Sequence, residues 1–111
     1  MSNLLSKKCV PCEGGIPAFD IIKEDNYIKK VEGWSLIRQG IHHIQKEFNF
    51  KNFLKAIEFV NKVASLAEEE GHHPDIYIYY DKVILKLHTH AIKGLHENDF
   101  ILAAKIDAIN T

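Results

Sequence analysis

The run "KNFLKAIEFVNKVASLAEEEG", residues 51–71, constrains the fold more than any other stretch. Lys51, Lys55, Glu58, Lys62, Ser65 and Glu69 recur at helical spacing and share one polar line. Phe53, Ile57, Val60, Ala64 and Ala67 form the opposite, apolar line. Gly71 stands where a left-handed residue would stop the helix. A helix over 51–70 must bury its apolar line, so the rest of the 111-residue chain has to supply a surface for it.

Strand signals supply that surface. "IYIYY" and "VILKLHT" read as two strands joined at Asp81-Lys82, and "WSLIRQGIHHIQKEFNF" as a hairpin turning near Gln39 and Gly40. A helix is predicted over 20–32: Asp20 caps it, Ile21, Ile28 and Val31 recur along it, and Gly33 ends it. A last helix covers 97–109, with Phe100, Ala103, Ile106 and Ile109 on one side. Residues 1–19, broken by Pro11, Gly14, Gly15 and Pro17, read as an extended, partly mobile lead-in. Residues 20–111 then form a single α+β domain of α-β-β-α-β-β-α order. Its four-stranded antiparallel sheet carries helices on one face.

Composition narrows the partners. With 46% hydrophobic and 26% charged residues, one modest core is within reach. No run is long and apolar enough for a membrane span, and "MSNLLSKKCV" lacks the apolar stretch of a signal peptide, so a cytoplasmic protein is expected. A net charge of −1 with scattered lysines gives no electrostatic case for nucleic acid. Cys9 and Cys12 form a C-x-x-C pair, which suits half a zinc site, a redox pair or a plain surface segment. No second pair at finger spacing follows.

Histidine is the outlier, with seven copies at 42, 43, 72, 73, 88, 90 and 96. Imidazole titrates near neutrality, so these mark the candidate chemistry. On a helical wheel Glu68 lies about 20° from Ile57, inside the apolar arc. A carboxylate there is costly unless paired, so it is expected to snorkel past the helix end, to meet a lysine, or to hold a histidine in one tautomer. His72 and His73 leave the helix in different directions, and Pro74 biases His73 toward extended geometry. Either imidazole could simply complement the negative helix end. His88 and His90 share a side if their strand is regular, a spacing that also suits a metal, although no acidic or cysteine ligand is evident beside them. His42 and His43 read as surface residues.

The segments "EEEGHHPDIYIYYDKVILKLHTH" and "AIKGLHENDFILAAKID" resemble the pterin-4a-carbinolamine dehydratases, with a glutamate four residues before H-H-P, a strand pair ending in T-H, and G-L before an acid-opened final helix. "GW" at 33–34 and "CVPCEGG" near the start are similar to the bacterial members, and the likeness spans nearly the whole chain. The resemblance implies dehydration of 4a-hydroxytetrahydropterin to quinonoid dihydropterin, recycling the cofactor of aromatic amino-acid hydroxylation, with no metal or organic cofactor. It implies His72, His73 and His90 as the catalytic histidines and leaves open which is acid and which is base. Pro74, Thr89, Ala91 and Ile92 would line the pterin site, with Glu68 and Asp99 as supporting acids and Trp34 as a nearby aromatic. Asn98 stands where some animal members have arginine, and His96 where a serine or threonine cap is frequent. A homodimer or homotetramer is expected, with Tyr77, Tyr79 or Ile84 on a sheet face too apolar to leave bare. The alternative is a non-catalytic dimerisation or regulatory binding protein of the same fold.

Overall fold

The computed structural model describes residues 3–10 and 16–109. Its helices are α1 (Ile21–Ile28), α2 (Phe53–Glu70) and α3 (Glu97–Ile109); its strands are β1 (Ser35–Ile37), β2 (His43–Asn49), β3 (Asp75–Tyr79) and β4 (Lys82–Leu87). The order is the predicted one. The strands form one antiparallel sheet in the order β1-β2-β4-β3.

Alternation on β4 decides which face is covered. Val83, Leu85 and Leu87 are fully buried, and Ile44 and Phe48 pair with Leu87 and Val83 across from them on β2. Phe59 and Val63 of α2 and Phe100, Leu102 and Ile106 of α3 complete this single core. On the other face Tyr77 and Tyr79 stay exposed and Ile84 half-exposed. Side-chain caps fix two helix starts: Asp20 accepts from the Lys23 amide and Asn52 from the Lys55 amide, each at 2.9 Å.

Four expectations shift. The core line of α2 is Ala56, Phe59, Val63, Ala67 and Glu70, whereas Phe53 and Ala64 are exposed and Ile57 and Val60 only half-buried. The helix carries two adjoining apolar lines, and tertiary contact selects the other one. Consequently Glu70, not Glu68, is the buried acid at its end. α1 stops at Ile28, where i→i−3 bonds from Lys30 and Val31 tighten the chain and turn Val31 into the core. The tight turn of the β3–β4 hairpin is Tyr80-Asp81, since Tyr79 pairs with Lys82 and Tyr80 takes a φ of 55°.

The lead-in is not extended throughout. Residues Leu4–Ser6 form a 3-10 turn that sinks Leu4 into the core. Pro11, Cys12, Gly14 and Gly15 lie outside the described residues.

Candidate active site

The end of α2 aims the two adjacent histidines. Gly71 adopts φ 68°, the left-handed conformation its missing Cβ permits, and the His72 amide then donates back to the Ala67 carbonyl at 3.2 Å. That reversal turns His72 inward, where it is 9% exposed, and leaves His73 outside. Each imidazole meets one carboxylate. His72 Nε2 lies 2.6 Å from Asp99 Oδ1, and His73 Nε2 lies 2.5 Å from Glu68 Oε2.

The two pairs differ in kind. Glu68 and His73 are both solvent-exposed, so their pairing is worth little and is screened. Asp99 is fully buried. Its Oδ2 accepts from the Thr89 hydroxyl at 2.8 Å and from the His96 backbone amide at 3.0 Å. Asp99 is the third residue of α3, and reaching back to the amide just before the helix makes it half of a capping box. The His96 imidazole does not cap; it packs at a tilt against Phe19, ring centroids 5.1 Å apart. Both oxygens of Asp99 are engaged, and His72, whose Nε2 meets one of them, is among the residues that line the cavity.

Beyond β4, Thr89 and Gly94 form an isolated bridge around the 3-10 turn His90–Ile92. Gly94 is required for closeness: a Cβ there would meet the Ala18 Cβ at 2.7 Å, where the lead-in crosses. Because Thr89 points inward to Asp99, its neighbours His88 and His90 emerge together, with ring centroids 4.3 Å apart. Burial, and then the nearby His90, holds the His88 imidazole below its ordinary pKa.

These elements enclose a cavity of about 180 Å³, lined by residues 71–73, 88–91, Val10 and Asn98. Val10 belongs to a strap, residues 7–10, laid over α3. Asn98 clamps it with both amide atoms: Val10 N–H donates to Oδ1 at 3.1 Å and Nδ2 donates to the Val10 carbonyl at 2.6 Å. The Cys9 amide donates to Glu70 Oε1 at 2.9 Å, and Lys105 holds Oε2 of the same carboxylate at 2.7 Å. The Cys9 thiol is pushed up to about 12 by burial and then by Glu70, so the unligated thiol is protonated at neutral pH.

Of the residues expected at the site, His72, His73, His90, Thr89 and Ala91 meet at this cavity. Asp99 stands behind His72 and Glu68 outside His73. Pro74 and Ile92 adjoin the lining residues without lining the cavity themselves. Trp34 does not belong there: it is buried near the far end of α3, its Nε1 donating to Asp107 at 3.0 Å. Glu68 partners His73 rather than His72, because the turn at Gly71 carries His72 away from the helix side that Glu68 occupies. Val10 and Glu70 are additions that sequence reading passed over, and Asn98, noted there only as standing where some animal members have arginine, clamps the strap.

A family model described as Pterin 4 alpha carbinolamine dehydratase matches residues 21–109. A protein of Rubrobacter xylanophilus named "Putative pterin-4-alpha-carbinolamine dehydratase" is 41% identical over 98% of this chain and 100% of its own length. Its namesake in Alkaliphilus metalliredigens is 45% identical over 96% of both chains. Among solved structures, a transcriptional coactivator/pterin dehydratase from Brucella melitensis superposes with a TM-score of 0.79 at 29% identity, over 85% of this chain and 99% of that one. A pterin dehydratase-like protein described as a RuBisCO assembly factor in the alpha-carboxysome gives 0.60 at 25% identity, over 70% and 89%.

Proposed function

The chain belongs to the pterin-4a-carbinolamine dehydratase family, and from that premise we propose that it is a working dehydratase using histidine acid–base chemistry. The observation that carries the reading is the buried Asp99–His72 pair at the cavity wall.

In the reaction the 4a-hydroxyl leaves C4a as water and N5 loses its proton, forming the C4a–N5 double bond of quinonoid dihydropterin. Two proton transfers are needed. With Asp99 accepting from Nε2, His72 carries its lone pair on Nδ1 and takes the proton from N5. His90, exposed and also lining the cavity, gives a proton to the departing hydroxyl, and exchange with solvent then returns a proton to His90 and removes the one His72 took. His73 contacts the ligand from the rim, with Glu68 steadying it. Thr89 and Ala91, backed by Pro74 and Ile92, border the pterin ring. Positioned acid–base groups are typically worth ~10²–10⁴-fold in rate, which suffices for a dehydration that proceeds slowly unaided.

The reading assigns the protein to the cytosol, recycling the cofactor of aromatic hydroxylation, as a dimer or tetramer covering Tyr77 and Tyr79. The test is acceleration of 4a-hydroxytetrahydropterin dehydration by the purified protein and its loss in His72→Ala and His90→Ala. A protein without any acceleration would instead be a non-catalytic binder. That second reading draws on the coactivator and assembly-factor descriptions of the two solved neighbours.

A further inference from the structure

A donor set at the cavity rim is only partly used by the proton chemistry. One ligand atom from each of Asp75, His88 and His90 lies within 4.8 Å of the other two. The sheet explains the convergence. Asp75 pairs directly with Lys86 across β3 and β4, and His88 is two residues beyond Lys86, so Asp75 and His88 are diagonal neighbours on one face. Thr89 is turned inward, which brings His90 out beside His88. No hydrogen bond among the described residues engages any of these three donors, so nothing local accounts for their convergence.

Two imidazoles and a carboxylate form a borderline-soft donor set that suits zinc, cobalt or nickel over calcium or magnesium. Zinc takes nitrogen and oxygen ligands at ~2.0–2.2 Å, and three protein ligands leave a coordination position for water. Asp75 and His90 are exposed and His88 half-buried, so side-chain rotation alone can close the set onto an ion.

We propose that Asp75, His88 and His90 bind a divalent transition ion of the zinc class, and that occupancy withdraws the His90 imidazole from proton transfer. The binding half is independent of the dehydratase reading; the withdrawal half rests on it. An ion here is an inhibitor rather than a cofactor.

Titration of the full chain with Co²⁺ and Zn²⁺, without any pterin, tests the binding half. One ion per chain is expected, with a cobalt spectrum lacking the thiolate charge-transfer band that Cys9 or Cys12 ligation would produce. Ring nitrogen resonances of His88 and His90 should shift while those of His42 do not. His88→Ala should weaken binding by about 100-fold and Asp75→Asn by about 10-fold, whereas His42→Ala should leave the isotherm unchanged. A thiolate band, unshifted His88 and His90 rings, or an unchanged isotherm in His88→Ala overturns the site. For the withdrawal half, Zn²⁺ should slow pterin dehydration over the same concentration range in which it binds, and a chelator should restore the rate. Binding without slowing refutes the withdrawal. Absence of any dehydration refutes the dehydratase reading while leaving the ion site standing on its own titration.

Discussion

Asp99→Asn isolates the proton logic from the architecture. The His96 backbone amide can only donate, so the amide oxygen of the variant must stay where Oδ2 is, receiving that amide and the Thr89 hydroxyl. The new NH₂ group then faces His72 Nε2, 2.6 Å away in the parent geometry. Two donors cannot share that contact, so His72 must give up the proton on Nε2 and carry it on Nδ1. On the proposed mechanism Nδ1 becomes a donor and can no longer accept from N5.

The expected loss is that of one acid–base group acting on a reaction with an appreciable background. We expect about 10²-fold in kcat, or about 2.7 kcal/mol of barrier, at the lower end of the ~10²–10⁴ range for such groups. The cap and the Thr89 bond survive, so stability should fall by only about 1 kcal/mol, from losing a carboxylate at a helix N-terminus. That is a Tm decrease of roughly 4–8 °C. Stopped-flow dehydration gives kcat and KM, and nitrogen NMR of the His72 ring reads the tautomer directly. If the tautomer inverts and kcat is unchanged, His72 is not the base. If the tautomer does not invert, the carboxylate does not set it.

His72→Ala and His90→Ala should each cut turnover by about 10²-fold or less, the double variant should approach background, and His73→Ala should raise KM more than it lowers kcat, all read in the same assay. His42→Ala should lower Tm instead, because that ring contacts the buried Glu24 at 2.8 Å; turnover damage equal to that of His90→Ala would place the chemistry in the β1–β2 hairpin. Asn98→Ala should free the strap, raising KM and accelerating hydrogen exchange at the Val10 amide, and unchanged exchange would show that the strap is held otherwise. Burial alone would raise the Glu70 carboxyl, but bonds from Lys105 and the Cys9 amide outweigh it and hold the group below the ordinary carboxylate range. Its contribution is therefore complete above the unfolded carboxylate pKa and is lost as pH falls through the lower folded value. Thermal unfolding across that acid window should show a shallower pH dependence in Glu70→Gln than in the parent. Light scattering should give a dimer or tetramer, and a monomer at micromolar concentration would contradict the expected covering of Tyr77 and Tyr79.

Local signals made most of the fold legible. Asp20 as a cap, Gly71 as a stop and the 97–109 helix needed only near neighbours in sequence, and all three hold. The phase of α2 was not legible, because Phe53–Ile57–Val60 and Ala56–Phe59–Val63 are adjoining lines of comparable apolarity. Only the sheet decides between them, and that choice moved the buried acid from Glu68 to Glu70. The partner of His72 was hidden for a related reason. Glu68 is one turn away in sequence, yet the carboxylate that meets His72 comes from 27 residues further on. The strap clamp spans 88 residues between Val10 and Asn98, and neither residue type announces it.

The two histidine–carboxylate pairs show why proximity in sequence misleads about chemistry. Glu68 and His73 are neighbours around one helix end, but both are exposed, and an ion pair in water is worth ~0–1 kcal/mol, too little to hold one tautomer. Asp99 reaches His72 only because α3 begins where β4 and α2 both end. The same carboxylate caps the helix through the His96 amide, ties down the strand exit through Thr89, and receives the imidazole. Each of those bonds denies Asp99 another orientation, so His72 is aimed by the fold itself. Thr89 adds a second consequence. By turning inward to Asp99 it pushes His88 and His90 outward together, so the contact that orients His72, the proposed base, also sets where His90, the proposed acid, stands. Thr89→Val should therefore disturb both walls of the cavity, although Thr89 needs no chemical part in the reaction.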